Sequence, residues 1–184
     1  MTLVPPRRIV VTGGPGSGKT SLIEVLGGRG FPHSVEAGRA IIQDEVLAGG
    51  TALPWADQLA YTDRMLSREL ASYRMADGLT GPVFFDRGLP DIVGYLRLCG
   101  LPVPAVVDDA ARDFRYDPVV FIAPPWPEIF AQDAERRQDL AEAERTYAAM
   151  VQVYPALGYR LVELPRVDVE ARADFVLERL AAAS

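Results

Sequence analysis

Cysteine and histidine are almost absent from this chain, which contains one of each among 184 residues. The single cysteine, Cys99, cannot form an intramolecular disulfide, and no second histidine or cysteine lies near His33 to suggest a zinc site. The first residues lack the apolar stretch of a signal peptide, and no apolar run approaches the about 20 residues that a membrane span needs. We therefore expect a cytoplasmic protein without transition-metal chemistry.

Basic residues are too few to form a nucleic-acid surface. The chain has 19 Lys and Arg against 25 Asp and Glu, a net charge of −6, and no basic block is longer than a pair. Because polynucleotide binding depends on a basic surface, we expect no nucleic-acid partner. The chain length suits one buried core and is short for two ordinary domains, so residues 1–184 predict a single domain.

A glycine-rich segment follows the first predicted strand, residues 8–12. It reads G-x-x-x-x-G-K-T from Gly13 to Thr20, and a predicted helix follows. Glycine permits backbone angles that point successive N–H groups at phosphate oxygens, and a helix N-terminus favours the same anion. Lys19 supplies a cation for the β- and γ-phosphates, and the Thr20 hydroxyl is placed to bind Mg²⁺. The sequence thus predicts a nucleoside triphosphate site. Its expected residues are Gly13, Gly14, Pro15, Gly16, Ser17, Gly18, Lys19, Thr20 and Ser21.

Strand-like and helix-like stretches alternate along the chain. The predicted strands are residues 8–12, 32–36, 82–85, 119–122 and 159–164. The predicted helices include 37–47, 54–75, 90–98, 104–114 and 140–154, and a last one that begins at Asp168. This alternation favours a parallel sheet covered by helices on both faces. We therefore expect a three-layer α/β fold with five parallel strands.

An acid and a base, Asp86 and Arg87, end the third predicted strand. Carboxyl ends of parallel strands face the crevice in which open α/β sheets hold ligands. Asp86 is therefore a candidate to hold Mg²⁺ or to accept the proton of an attacking hydroxyl, and Arg87 a candidate for transition-state or substrate phosphate charge. The alternative is that Asp86 only caps a turn. Arginine after this acid suits small-molecule kinases, whereas many motor ATPases have glutamate there.

Glu36 ends the second predicted strand, and Arg39 follows it by three residues. A phosphotransferase needs a carboxylate within hydrogen-bond reach of the acceptor hydroxyl, so Glu36 is a candidate base, with Asp86 as the alternative. Arg39 would bind the acceptor or its phosphate. The competing interpretation is a surface ion pair worth roughly 0.2–0.5 kcal/mol. Trp55 and Arg64 are further candidates for the acceptor pocket, as are the Tyr61 and Arg68 positions of the same predicted helix, although Trp55 fits the core equally well.

A dense charge cluster occupies residues 133–139, after a proline-rich break. It contains Arg136 and Arg137. Phosphoryl transfer requires cations on the transferred group, and a segment that closes over the phosphates can supply them. We therefore predict a lid at about residues 126–140 with two catalytic arginines. The alternative is a solvated helix with internal ion pairs.

Five segments together resemble a known family. They are residues 13–20, 36–39, 49–55, 84–91 and 158–165, and the resemblance that they carry extends over essentially the whole chain. They resemble the small AAA-labelled P-loop proteins that are predicted ATPases or kinase-like proteins. This family is similar to the ribosylnicotinamide kinase domain and more distantly to deoxynucleoside and thymidylate kinases. The resemblance implies a P-loop NTPase fold with strand order 2-3-1-4-5, ATP bound by the P-loop, and Asp86 on the Mg²⁺ side. By this resemblance, we expect the chain to lack the extra helical domain of ring-forming AAA machines, which argues against a mechanical unfoldase.

These features predict a Mg²⁺-ATP-dependent kinase of a small hydroxyl-bearing metabolite such as a nucleoside. ATP is favoured over GTP because residues 123–125 stand where an Asn-Lys-x-Asp guanine signature would follow the fourth strand. Two alternatives stay open: a regulatory ATPase or GTPase that acts on a protein partner, and a nucleotide-binding module without turnover. The expected catalytic residues are Lys19, Glu36, Asp86, Arg87, Arg136 and Arg137. The expected acceptor-binding residues are Glu36, Arg39, Trp55 and Arg64, and the expected metal ligands are Thr20 and Asp86.

Overall fold

Four parallel strands form the sheet. In the computed structural model, which describes residues 6–130 and 139–182, the strands are β1 (Pro6–Gly13), β2 (Gly81–Asp86), β3 (Val119–Ala123) and β4 (Arg160–Glu163). Their order across the sheet is β2-β1-β3-β4, and every neighbouring pair is parallel. Val11 pairs with Asp86 and Gly13 with Ala123, so the carboxyl ends of three strands meet at one edge.

Helices connect these strands and cover both faces of the sheet. They are α1 (Lys19–Gly28), α2 (Ala37–Ala48), α3 (Gln58–Met75), α4 (Leu89–Leu98), α5 (Ala105–Asp113), α6 (Leu140–Ala156) and α7 (Val169–Ala181). Aspartate side chains cap three of them: Asp57 accepts from the Ala60 N–H, and Asp139 and Asp168 cap α6 and α7 in the same way. The long helix therefore begins at Gln58 rather than at residue 54 as predicted. None of the helices within the described ranges has both the length and the apolar character that crossing a membrane requires.

The core lies on both sides of the sheet because side chains alternate along β1. Val10 packs into a cluster to which helices α2 to α6 contribute, whereas Ile9 and Val11 pack into a second cluster with α1 and α7. All three side chains are fully buried. The prediction of a three-layer α/β fold is confirmed by this arrangement.

The predicted second strand, residues 32–36, is wrong. Only His33 pairs with Phe84, through an isolated parallel bridge, and the hydrogen bonds there run from the Phe84 N–H to Pro32 O and from the Ser34 N–H to Phe84 O. Pro32 has no N–H to donate, and α2 begins shortly after, so pairing cannot extend in either direction. The described residues thus contain four strands rather than five, in the order β2-β1-β3-β4 rather than the expected five-strand order 2-3-1-4-5, and one bridge lies beside β2 where the fifth strand was expected.

Candidate active site

Glycine is required at three positions of the loop between β1 and α1. Gly16 and Gly18 have φ angles of 69° and 76°, a region that other residues rarely adopt. At Gly13 a Cβ atom would lie 2.4 Å from the backbone oxygen of Ala123 on the neighbouring strand. The loop therefore needs glycine both for its backbone conformation and for its close contact with β3.

The loop has the donors that a phosphate site needs. The N-cap of α1 is Gly18, which makes no side-chain capping hydrogen bond, and the first-turn N–H groups of a helix form an anion-binding end. Lys19 is 3% exposed, and its ammonium donates to Gly14 O at 2.5 Å and to Ser17 Oγ at 3.3 Å. The cation is thus held against the loop, where phosphate oxygens could replace these neutral acceptors.

Thr20 and Asp86 form the predicted metal pair. The Thr20 hydroxyl donates to Asp86 Oδ2 at 2.9 Å, while Asp86 Oδ1 is buried without a hydrogen-bond partner among the described residues. Burial raises the pKa of Asp86, and the Glu36 carboxylate raises it further. A buried carboxylate oxygen without a partner, beside a hydroxyl, suits a hard cation that prefers oxygen ligands. These two residues therefore fit Mg²⁺.

Arg87 connects the loop to the second candidate acid. Its backbone has a φ of 73°, and its N–H donates to Val11 O. The guanidinium donates to Glu36 Oε1 at 3.0 Å, to Gly13 O at 3.0 Å and to Asp91 Oδ1 at 3.2 Å. Burial alone would lower the pKa of Arg87, but the carboxylates of Glu36 and Asp91 outweigh it and raise the pKa. Arg87 is therefore a fixed positive charge at the edge of the loop.

Asp91 is a residue that sequence reasoning missed. Besides Arg87, it accepts hydrogen bonds from the Thr12 hydroxyl and the Tyr154 hydroxyl, each at 2.6 Å, and from the Gly88 N–H at 3.1 Å. It thereby ties β1, α6 and the turn after β2 to the guanidinium. The available signal was an acid in the first turn of the helix that follows Asp86-Arg87.

A cavity of about 410 Å³ begins beside the loop and extends between α2, α3, α4 and α6. Pro15, Glu36 and Arg87 line it, and Arg87 contacts the phosphate loop through Gly13 O. Arg39 and Trp55 also line it. The structure thus brings together three of the four residues predicted for the acceptor pocket.

Arg64, the fourth, lies elsewhere. Its guanidinium pairs with Glu45 Oε1 at 2.8 Å, its side chain is 59% exposed, and it does not line the cavity. Glu45 also accepts the Ala52 N–H at 2.9 Å. Arg64 therefore supports the loop after α2, because the turn of α3 on which it lies faces that loop.

Glu69 and Tyr95 line the cavity and were not predicted from the sequence, whereas Tyr61, a candidate position for the acceptor pocket, lines it as well. Glu69 is 5% exposed, and burial followed by the nearby Asp91 and Asp86 raises its pKa well above 4.5. The Tyr95 hydroxyl is buried and lies beside the Cys99 thiol. The signal for Glu69 was an acid at four-residue spacing after Tyr61 and Met65, where the helix face is otherwise apolar.

Arg172 of α7 is a further residue without a sequence signal. It is 2% exposed, and its guanidinium donates to Ser17 O at 3.1 Å. The same group lies 5.8 Å from the centre of the Trp126 ring. The Arg172 guanidinium thus holds the phosphate loop through Ser17 O, although α7 is far from that loop in the sequence.

The predicted lid arginines, Arg136 and Arg137, lie outside the described residues. The residues just before them contact the loop: a Cβ atom on Gly16 would lie 2.6 Å from the Phe130 ring, and one on Gly18 would lie 3.2 Å from Ile129. The lid stays a prediction. The last described residues before Arg136, Ile129 and Phe130, lie against the phosphate loop.

Comparison with known families gives a match over residues 8–172 to the family described as AAA domain. No curated protein matches the chain in sequence.

Solved structures give closer geometric comparisons. A deoxyadenosine kinase from M. mycoides, with products dCMP and a flexible dCDP bound, has a TM-score of 0.70 at 13% identity over 95% of this chain and 99% of that one. A NadR protein in complex with NR has a TM-score of 0.66 at 20% identity over 94% of this chain and 51% of that one. A thymidylate kinase from Ehrlichia chaffeensis has a TM-score of 0.64 at 16% identity over 96% and 99%. These comparisons establish a P-loop kinase fold and confirm the resemblance seen in the sequence.

Proposed function

The chain belongs to the AAA domain family, and from this premise we propose that it is a Mg²⁺-ATP-dependent kinase of a small, nucleoside-like metabolite. The observation that carries the proposal is the cavity of about 410 Å³ that opens beside the phosphate loop and has Glu36 and Arg87 at that end. A regulatory NTPase acting on a protein would need an exposed surface there. A concave cavity next to the phosphate loop instead suits a small second substrate.

The loop would bind the triphosphate of ATP. Backbone N–H groups of Gly13–Thr20 and the Lys19 ammonium would contact the β- and γ-phosphates, and Lys19 would exchange its contact with Gly14 O for phosphate oxygens. Thr20 and Asp86 would hold Mg²⁺, which neutralises charge on the phosphates when bound. Lys19 and Thr20 at the start of α1, with Asp86 at the end of β2, would together orient the γ-phosphate toward the cavity.

Glu36 is the better candidate for the base. It lines the cavity, whereas Asp86 contacts Thr20 and does not line the cavity within the described residues. The acceptor oxygen would attack the γ-phosphorus, the bond from that phosphorus to the ADP oxygen would break, and the hydroxyl proton would pass to the Glu36 carboxylate. Arg87, which contacts Glu36 at 3.0 Å, would orient that carboxylate and stabilise the transferred charge.

The test is acceptor-dependent release of ADP. ADP release from Mg²⁺-ATP is measured with a panel of nucleosides, vitamins and sugars, and we expect a many-fold rise with one class, because water is a poor substitute for a positioned hydroxyl. Glu36→Gln should remove most of this rise and little of the basal hydrolysis. Glu24→Gln, at an exposed position on α1 outside the cavity, is the matched control. If no compound in the panel stimulates ADP release but a purified protein does, the kinase assignment is wrong and a regulatory NTPase is favoured.

A further inference from the structure

Two buried arginines contact the phosphate loop through its carbonyl groups, and they differ in their counter-charges. Arg87 donates to Gly13 O at 3.0 Å and also to two carboxylates. Arg172 of α7 donates to Ser17 O at 3.1 Å, but it forms no ion pair with an acid in the described part of the chain. Its side chain is buried, and its Nε atom has no hydrogen-bond partner among the described residues. Arg172 is thus a buried cation without a counter-charge.

The acids of α7 that lie nearest to Arg172 in the sequence have other partners. The Asp168 side chain caps the helix. Glu170 and Asp174 are largely exposed and pair with Arg29 at the end of α1, each at 2.6 Å. Burial lowers the pKa of Arg172, and no carboxylate within residues 6–130 and 139–182 opposes that shift. Burial of an unpaired charge costs free energy, which an anion bound nearby would offset.

The contact with Ser17 also fixes one donor of the phosphate loop. A peptide unit is planar and trans, so the Ser17 carbonyl and the Gly18 N–H, which belong to one unit, point in opposite directions. The guanidinium that holds this carbonyl therefore directs the Gly18 N–H away from α7. Glycine permits this approach, because a Cβ atom on Gly18 would lie 2.7 Å from Arg172 Nη1. The Gly18 N–H is one of the donors that would contact the phosphates.

We propose that Arg172 is a positioning residue for the triphosphate: it fixes the peptide unit between Ser17 and Gly18, and the phosphates of the bound nucleotide supply the counter-charge that it lacks. This inference rests on the nucleotide binding in the proposed function and does not depend on the acceptor. Arg172 acts through the backbone of the loop and takes no part in the transfer itself.

The test compares the affinity for phosphates across three variants. Dissociation constants for Mg²⁺-ATP and for inorganic triphosphate are measured by calorimetric titration in the wild type, Arg172→Met, Arg172→Gln and Arg172→Lys. Arg172→Met should weaken both ligands about tenfold, because the charge and the contact with Ser17 O are lost. Arg172→Gln, which keeps an N–H donor without the charge, should weaken them about threefold to tenfold. Arg172→Lys, which keeps the charge, should stay within about threefold of the wild type.

Melting temperatures without and with ATP are the second readout. Arg172→Met removes a buried charge and keeps apolar volume, so the unbound variant should melt within about 4 °C of the wild type. Its rise in melting temperature at a fixed ATP concentration should be smaller than that of the wild type, because its affinity is lower. A residue with a structural role alone would change the first value and not the second.

Arg179→Met is the matched control. It removes an exposed arginine of the same helix, which lies 5.1 Å from the centre of the Phe175 ring, so it changes the net charge by the same amount. We expect it to alter neither the affinity for phosphates nor the rise in melting temperature with ATP. Arg172→Gln remains informative if Arg172→Met does not fold.

Each result decides one claim. If ATP binds but no acceptor stimulates ADP release, the kinase function fails and the inference stands. If the wild type binds ATP and triphosphate and the neutral variants bind them equally well, the inference fails and the kinase function stands. A loss of affinity for ATP without a loss for inorganic triphosphate would overturn the inference, because Arg172 would then act on the base or the sugar. An equal loss in Arg172→Lys and Arg172→Met would overturn the role of the charge.

Discussion

The two ends of the cavity are built in different ways. The phosphate end comes from one continuous segment, Gly13–Thr20, joined by Asp86 and Arg87 from the adjacent strand end. The acceptor end comes from side chains on four helices that lie far apart in the sequence. A continuous loop fixes its geometry through backbone angles, whereas the acceptor end depends on how the helices pack. We therefore expect changes at the phosphate end to act on turnover and changes at the acceptor end to act on affinity.

Lys19→Ala tests the phosphate end most directly. We expect the kcat/KM for ATP to fall on the order of 10²–10³-fold, because the cation that would contact the phosphates is lost from a loop that contributes no core volume. Lys19 is also the chain's only lysine. An amine-reactive ATP analogue should therefore modify this side chain, and mass spectrometry should show protection by ATP. Unchanged turnover and affinity in a folded variant would contradict the assignment of the loop.

Asp86→Asn should separate turnover from nucleotide binding. We expect kcat to fall by about 10²-fold while the affinity for ATP changes little, since the amide keeps the shape and loses the charge that would hold Mg²⁺. The measurement is steady-state kinetics across a Mg²⁺ titration. Kinetic constants equal to those of the wild type at every Mg²⁺ concentration would make Asp86 a turn cap only.

Gly38→Ala tests the acceptor end without changing a charge. A Cβ atom at this position would lie 2.6 Å from the Tyr61 hydroxyl, so the tyrosine ring must shift within the cavity wall. We expect the acceptor KM to rise about fivefold with the ATP KM unchanged. Gly28→Ala is the matched control, because a Cβ atom there meets nothing within 4 Å. An equal rise in the acceptor KM and the ATP KM would show that the two ends of the cavity do not act separately on the two substrates.

Glu69→Gln should change stability as a function of pH. The folded-state pKa of Glu69 is raised by burial and by Asp91, Asp86 and Glu36, which outweigh the opposing Arg87. A raised carboxyl pKa gives the folded state more bound protons than the unfolded state, so wild-type stability falls as pH rises above 4.5 toward the folded pKa.

Glutamine does not titrate. The variant should therefore be more stable than the wild type by on the order of 1 kcal/mol at neutral pH, and the difference should disappear as pH falls below about 4.5. Urea unfolding at several pH values measures this. A difference that is independent of pH would show that Glu69 does not titrate in this range.

Arg64→Ala should have the smallest effect. It tests whether the acceptor end of the cavity includes Arg64. The sequence suggested a place in the acceptor pocket, but the side chain pairs with Glu45 and is 59% exposed. We expect the acceptor KM to stay within about twofold and stability to fall by about 0.2–1 kcal/mol. A tenfold rise in the acceptor KM would show that Arg64 does contribute to acceptor binding.

The sequence predicted the phosphate end because its chemistry is local. The spacing of Gly13, Lys19 and Thr20 specifies a loop, and Asp86 follows a short apolar strand whose end must face the crevice. The structure places Thr20 Oγ1 and Asp86 Oδ2 2.9 Å apart, as that reasoning requires. The family resemblance added the P-loop fold, which the solved structures confirm.

The acceptor end could be predicted only in part. Glu36, which ends a strand-like segment, and Arg39, which follows it, were predicted and line the cavity, although that segment forms a single bridge through His33 and no strand. Glu69 and Tyr95 reach the cavity through the packing of α3 and α4, and no short spacing encodes a contact between separate helices. The lid at about residues 126–140 and the roles of Arg136 and Arg137 stay predictions.

The backbone of Arg87 shows a compromise between stability and chemistry. It is the one non-glycine residue with positive φ within the described ranges, and a left-handed conformation costs an L-residue about 1–2 kcal/mol. A chain optimised for folding alone would carry glycine here. Glycine would relax the turn and discard a guanidinium that holds Glu36, Asp91 and the loop carbonyl of Gly13 together. The fold thus retains a standing conformational strain at the point where the two ends of the cavity join.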